Sequence, residues 1–199
     1  MEQMFNGAHR FNQPIGNWDV RRVFAMQATF RSANAFNQPI GTWNVSRVIS
    51  MSDLFNGAAS FNQPIGKWDV AQVTDFQQMF VGASAFNQSI SAWNVSQATR
   101  MDSMFDGASS FNRNLSCWCV TQIATAPNQF AGATLVAENR PQWGSCPSSC
   151  ALQNGETATS ASSCASGILS ASGHCCRETC GADGECSTGT CSAPPLSPV

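Results

Sequence analysis

The residues with the most chemistry in this chain are its ten cysteines. Cys117 and Cys119 flank Trp118, and the other eight run Cys146-x3-Cys150-x13-Cys164-x10-Cys175-Cys176-x3-Cys180-x5-Cys186-x4-Cys191. Thiols in such numbers either ligate a metal or pair with one another. Zinc ribbons use paired CxxC elements, which are absent here, and His9 and His174 have no partner at ligand spacing. No metal site is therefore expected, and all ten cysteines are disulfide candidates. Persistent disulfides place a protein outside a reducing cytosol, so the expected location is extracellular or at a cell surface. In an extended strand, residues i and i+2 sit ~6.5–7 Å apart, at the edge of disulfide geometry. Cys117 and Cys119 are thus poorly placed to bond each other, and at least one is expected to reach a cysteine after residue 143.

Other reactive chemistry has little support. The sequence has no GxSxG, no HExxH and no phosphate loop. No enzyme activity and no cofactor are expected. Lys plus Arg is 10 and Asp plus Glu is 12, so nothing in the charge balance favours nucleic acid. No apolar run reaches the ~18 residues of a spanning helix.

The polar groups that recur make a row instead: Asp19, Asn44, Asp69, Asn94, then Cys119, one every 25 residues. Asn17, Thr42, Lys67 and Ala92 stand on one side of it, and Arg21, Ser46, Ala71 and Ser96 on the other. Alternating Asn with Asp spaces like charges that would otherwise crowd neighbouring strands. This row is the candidate contact face, with Asp19, Asn44, Asp69, Asn94, Lys67 and Arg21 as its candidate residues. Asn44 and Asn94 also begin N-x-S sequons, so glycans would cover the same face in a secretory pathway.

What must position that row is a repeat. FNQPIGNWDV from Phe11 returns as FNQPIGTWNV, FNQPIGKWDV, FNQSISAWNV and FNRNLSCWCV. Trp18, Trp43, Trp68, Trp93, Trp118 and Trp143 fall at steps of 25, as do Phe5, Phe30, Phe55, Phe80, Phe105 and Phe130. A fixed period of this size means stacked supersecondary units that cannot bury their apolar faces alone. In the unit Met51–Val73, Met51, Leu54 and Phe55 have the spacing of one helical turn. Gly57 follows as a stop that tolerates positive φ. Pro64 fixes a turn, and Lys67–Val70 is extended, with Trp68 and Val70 on one face and Lys67 and Asp69 on the other. The Trp, Phe, Ile and Met columns are expected inside, and short strands are expected to pair in parallel between units. Asn12, Asn37, Asn62, Asn87 and Asn112 form a column at the turn, expected to be an amide ladder that satisfies backbone groups.

Residues 4–128 follow the signature MFxGAxxFNQxIxxWxVSxVxxM closely, with a degenerate copy to about Trp143. This resembles the 25-residue repeat of BspA-like surface proteins, a divergent branch of the leucine-rich-repeat superfamily found in mycoplasma lipoproteins and in protist and algal surface proteins. The resemblance implies a surface-attached solenoid with an adhesive or protein-binding role, and no catalytic residue. The last copies depart from the pattern: Ser89 and Asn114 replace proline, and Cys119 replaces the Asp or Asn of the row.

The expected organisation is a right-handed leucine-rich-repeat-like solenoid over residues 1–143, of five full units and one degenerate, followed by a tail over 144–199. The tail has no aromatic residue and holds eight of the cysteines, so disulfides rather than a core would hold it. Cys175–Cys191 faintly resembles the CC-x3-C…C-x4-C core of disintegrin-like modules, without their integrin-binding loop. The opening MEQMFNGA is not a signal peptide and matches FQQMFVGA from Phe76, so the chain is expected to begin inside a repeat. The expected function is adhesion or binding of a protein or matrix ligand at the exposed face. The alternative is a passive spacer, which the small polar side chains of the row would suit equally. An ice-binding array would need ranked threonines, and Thr42 and Thr121 are too few.

Overall fold

The computed structural model describes residues 1–147 and, beyond them, the backbone of two short strands, β1 (Cys186–Ser187) and β2 (Thr190–Cys191). The chain divides into two compact segments, Met1–Cys146 and Pro147–Val199. In the second, β1 pairs antiparallel with β2, with Cys186 opposite Cys191. The disulfide candidates Cys150, Cys164, Cys175, Cys176 and Cys180 lie outside the described residues, as do the side chains of Cys186 and Cys191.

In the first segment each repeat unit is hydrogen-bonded to the next along one stretch of backbone. In the second unit the amides of Met26, Ala28, Phe30 and Ser32 donate to the carbonyls of Ser50, Ser52, Leu54 and Asn56, at 2.6–3.0 Å. The carbonyl of Leu54 belongs to the same peptide group as the amide of Phe55, which donates onward to Met79. Phe80 then donates to Met104 and Phe105 to Phe130, so one peptide column runs unbroken from Phe5. Three further columns run beside it through Ala28, Ser32 and Met26. In all four, N–H points toward the next unit and C=O toward the previous one.

The intervening peptide groups turn inward on their own unit. Leu54 donates to Met51, Asn56 to Asp53, and Ala58 to Phe55. These are three overlapping turns whose bonds span three residues. Asp53 has φ 56° and Gly57 φ 72°, the left-handed geometry that a turn's third residue takes when the peptide before it is flipped. The helical spacing of Met51, Leu54 and Phe55 is therefore realised without an α-turn. Each flip frees one peptide group in two to bond across units, which an α-helix would keep for itself. Gln78 and Ser103 repeat the left-handed geometry of Asp53, and Ser32 repeats that of Gly57.

Parallel pairing between units appears as single bridges, Ala25 to Ser50 to Asp75 to Arg100. The Trp–Val stretch pairs differently. Trp68 N–H bonds Ile65 and Val73 N–H bonds Val70 within the unit. The cross-unit bond comes from the indole instead: Trp43, Trp68, Trp93 and Trp118 donate Nε1–H to Ile15, Ile40, Ile65 and Ile90 of the preceding unit, at 3.1–3.2 Å. Gly41 sits where units come closest. A Cβ there would lie 2.3 Å from the Pro64 carbonyl oxygen.

The interior is a set of stacked rings. Phe30, Phe55 and Phe80 lie 5.6–5.7 Å apart along their column, and each stacks on Phe36, Phe61 or Phe86 of its own unit at 3.9–4.1 Å. Trp43, Trp68, Trp93 and Trp118 are buried, with Ile40, Ile65, Ile90 and the methionines Met26, Met51 and Met101. Beside this core runs the asparagine ladder. Oδ1 of Asn12, Asn37 and Asn62 accepts the backbone N–H of Asn37, Asn62 and Asn87, at 2.9–3.0 Å. Gln38, Gln63 and Gln88 reach back to clamp the same Asn oxygens. Like groups stacked at each step satisfy one another, as in amide and aromatic ladders generally.

The order ends at the sixth copy. The amides of Ser103 and Phe105 donate to Asn128 and Phe130, 25 residues on, where earlier units step by 24. The left-handed residue moves from Ser103 to Gln129. Phe130 keeps the sequence step of the Phe column but takes the place that Met79 and Met104 hold in earlier units. Its ring meets Phe105 edge-on at 83° rather than stacked. A single 3-10 turn, Ala137–Asn139, follows. Arg140 then covers the carbonyls of Ala131, Gly132 and Leu135.

Candidate binding face

The row Asp19, Asn44, Asp69, Asn94 lies where the chain leaves the Trp column and turns; Trp43, Trp68 and Trp93 are buried there, Trp18 is 42% exposed against the expectation of an interior column, and all four side chains of the row are exposed. Each caps its own turn. Oδ1 accepts the N–H two residues on: Arg21 at 3.1 Å, Ser46 at 3.1 Å, Ala71 at 3.2 Å and Ser96 at 3.2 Å. These are Asx turns, the local bond that Asp and Asn make with their own backbone. The fifth copy has Cys119 here and caps one turn earlier, with Asn114 accepting from Ser116. The row is thus brought into register by the fold, yet its members bond within their units and not along the row.

Asp19 is the member with distinct electrostatics. Arg21 donates Nε–H and Nη2–H to its two carboxylate oxygens at 2.9 and 2.8 Å. That pairing, with the Arg21 backbone N–H and the charge of Arg22, holds the Asp19 carboxyl well below the usual carboxylate range. The same contact raises the Arg21 guanidinium. Lys67 is exposed one position from Trp68. The candidates Asp19 and Arg21 therefore form one ion pair, while Asn44, Asp69 and Asn94 stand one unit apart from each other.

Cys119, the row's last member, is bonded to Cys146, 27 residues on. Cys117 is disulfide-bonded as well. The Cys119–Cys146 bond reaches past residue 143 and ties the degenerate copy to the fifth unit, from a stretch that is a turn rather than the expected strand.

The row was legible in the sequence; a second set of exposed residues was not. Phe24 and Ile49 are 56% and 50% exposed. Ile49 N–H bonds the Phe24 carbonyl at 2.8 Å, which places them one above the other. Arg22 and Arg47 precede them by two residues and are exposed too. The available signal was that Phe24 lies outside both Phe columns.

Among the described residues no helix is long and apolar enough to cross a membrane. Residues 1–76 and 39–143 match the profile of a protein family described as Mycoplasma protein of unknown function, DUF285. No curated protein and no solved structure matches the chain.

Proposed function

Starting from a chain that belongs to the family of Mycoplasma proteins of unknown function, DUF285, we propose that it is a cell-surface or secreted binding module of BspA-like type. In this reading the repeats form a leucine-rich-repeat-like solenoid that presents the row Asp19, Asn44, Asp69 and Asn94 to a protein or matrix ligand. The observation that carries it is the division of labour within the unit. Interior columns repeat nearly unchanged while the exposed positions beside them vary, so the surface is free to be shaped for a partner. The Cys119–Cys146 disulfide favours an oxidising compartment.

A second reading is a passive spacer. It is favoured by the Asx turns, since each side chain of the row already has its acceptor bonded to its own backbone. Asn44→Arg with Asn94→Arg separates the two. Each substitution removes one exposed Asx-turn acceptor, so the pair should cost under about 2 kcal/mol and leave the fold intact. The adhesive reading expects attachment to immobilised matrix proteins to fall. Unchanged attachment by the folded variant would favour the spacer or a different face.

A further inference from the structure

Phe24 and Ile49 are unusual because the repeat supplies its own controls. The equivalent positions in the third and fourth units are Thr74 and Thr99, and those equivalent to Arg22 and Arg47 are Gln72 and Gln97. The fold is therefore built equally well with Thr and Gln in this row. Thr74 and Thr99 bond the preceding unit's carbonyl there, and Ile49 makes the same backbone bond without a hydroxyl. The exposure is not an effect of the stack's end, because Ile49 has a unit on either side of it. Two large apolar side chains thus stand half in water at positions where packing does not require them.

Their surroundings are cationic. The first 50 residues hold Arg10, Arg21, Arg22, Arg31 and Arg47 against Glu2 and Asp19. Arg21 is taken up by Asp19 and Arg31 faces Asp53 at 3.8 Å. Among the described residues Arg22 and Arg47 make no side-chain hydrogen bond and no salt bridge, and Arg22 acts on Asp19 by its charge alone. The two guanidiniums lie one unit apart, in register with the two apolar side chains. Arginine and aromatic groups together are the usual anchors of a protein interface, and a guanidinium selects a carboxylate by its planar pair of donors.

We propose that Arg22, Phe24, Arg47 and Ile49 form a docking patch for an acidic protein segment, one that places carboxylates on the two arginines and an apolar side chain over Phe24 and Ile49. The patch is distinct from the row of Asx turns, and it deepens the binding-module reading by naming a surface and a partner chemistry. A membrane is the less suitable occupant, because two half-exposed side chains bury far less hydrocarbon than a single acyl chain, itself a marginal anchor.

The variant that tests this is written in the repeat itself: Arg22→Gln, Phe24→Thr, Arg47→Gln and Ile49→Thr install what the third and fourth units carry, so the fold is retained. Random dodecamer peptides displayed on phage are selected on the full chain, and the recovered peptides are synthesised and titrated. The expected clones carry Asp or Glu beside an apolar residue. They should bind the quadruple variant at least about ten-fold more weakly, and the native chain more weakly as salt is raised. Recovery of no acidic clones, or equal binding by the variant, would overturn the proposal. Phosphatidylserine vesicles bound by the native chain and not by the variant would also overturn it, assigning the patch to lipid. Dimerisation lost only in the variant would do the same, assigning it to a second copy. The Asn44→Arg, Asn94→Arg chain should keep the acidic peptides. If it loses them and the quadruple variant does not, the row carries binding and the patch does not.

Discussion

The fifth and sixth copies of the repeat are joined by a different device from the one that joins the first five. Between interior units four peptide columns, stacked phenylalanines, an indole donor and an asparagine ladder all keep one step. Between the fifth and sixth, the ladder bonds slip by one residue, Phe130 meets Phe105 edge-on, and no ring continues the stack. A covalent link, Cys119–Cys146, is added to the slipped bonds, and the guanidinium of Arg140 closes the sixth copy on its own carbonyls. The contrast teaches that a repeat propagates through like-on-like contacts only while the register holds. Once it slips, the last copy serves as a lid over the stack, closed by bonds of a different kind.

Five substitutions bear on that contrast. Trp68→Ala removes an indole buried between two units along with its bond to Ile40, and should cost about 3–5 kcal/mol in denaturant unfolding. Trp143→Ala, at a half-buried site in the sixth copy, should cost less than half as much. Equal costs would erase the distinction between stack and lid. Cys146→Ser opens a 27-residue link and should cost about 3.5 kcal/mol on the loop-entropy estimate. Its effect should be local: hydrogen exchange should speed up in residues 126–146 and stay unchanged at Phe55 and Phe80. Asn62→Ala leaves Asn87 N–H without its acceptor and Gln88 Nε2 with only the backbone carbonyl of residue 62, for about 1–3 kcal/mol, whereas Asn114→Ala, at an exposed turn, should cost under about 1 kcal/mol.

The smallest effect concerns acid. The Asp19 carboxyl is depressed from 3.8 by Arg21. A depressed carboxylate contributes stability that is present above its unfolded pKa and is lost as pH falls through its folded value. The Asp19–Arg21 contact should therefore persist below pH 3.8, followed by the carboxyl carbon shift in NMR. Protonation of Asp19 at the ordinary carboxylate pH would remove the ion pair from this account.

The buried columns could be read from the sequence because burial at each step demands the same residue type. Trp43, Trp68, Trp93 and Trp118 and their partner phenylalanines are where the 25-residue step places them. The asparagine ladder followed by the same logic. The path of the backbone between Met51 and Ala58 did not, because i, i+3, i+4 spacing is met equally by an α-turn and by overlapping turns. The choice between them depends on bonds to the next unit, which local spacing does not register. Phe130 misled for the opposite reason: its sequence step is regular and its structural step is not. Of the exposed residues, the Asx row was visible by its alternation. Phe24 and Ile49 were not, because they fall in a column whose other members are Thr74 and Thr99 and so carry no periodic mark.

The common orientation of the four peptide columns gives the stack an electrical axis. Each peptide group carries a dipole of about 3.5 D, and groups aligned head to tail sum as they do in a helix. In every column the C=O points back along the stack and the N–H points toward the sixth copy, so the negative side of each peptide dipole faces the earlier units. The fixed charges complement this field on one side: five arginines against Glu2 and Asp19 lie in the first 50 residues, while Arg100, Arg113 and Arg140 balance Asp102, Asp106 and Glu138 in residues 100–143. The two ends are therefore not interchangeable.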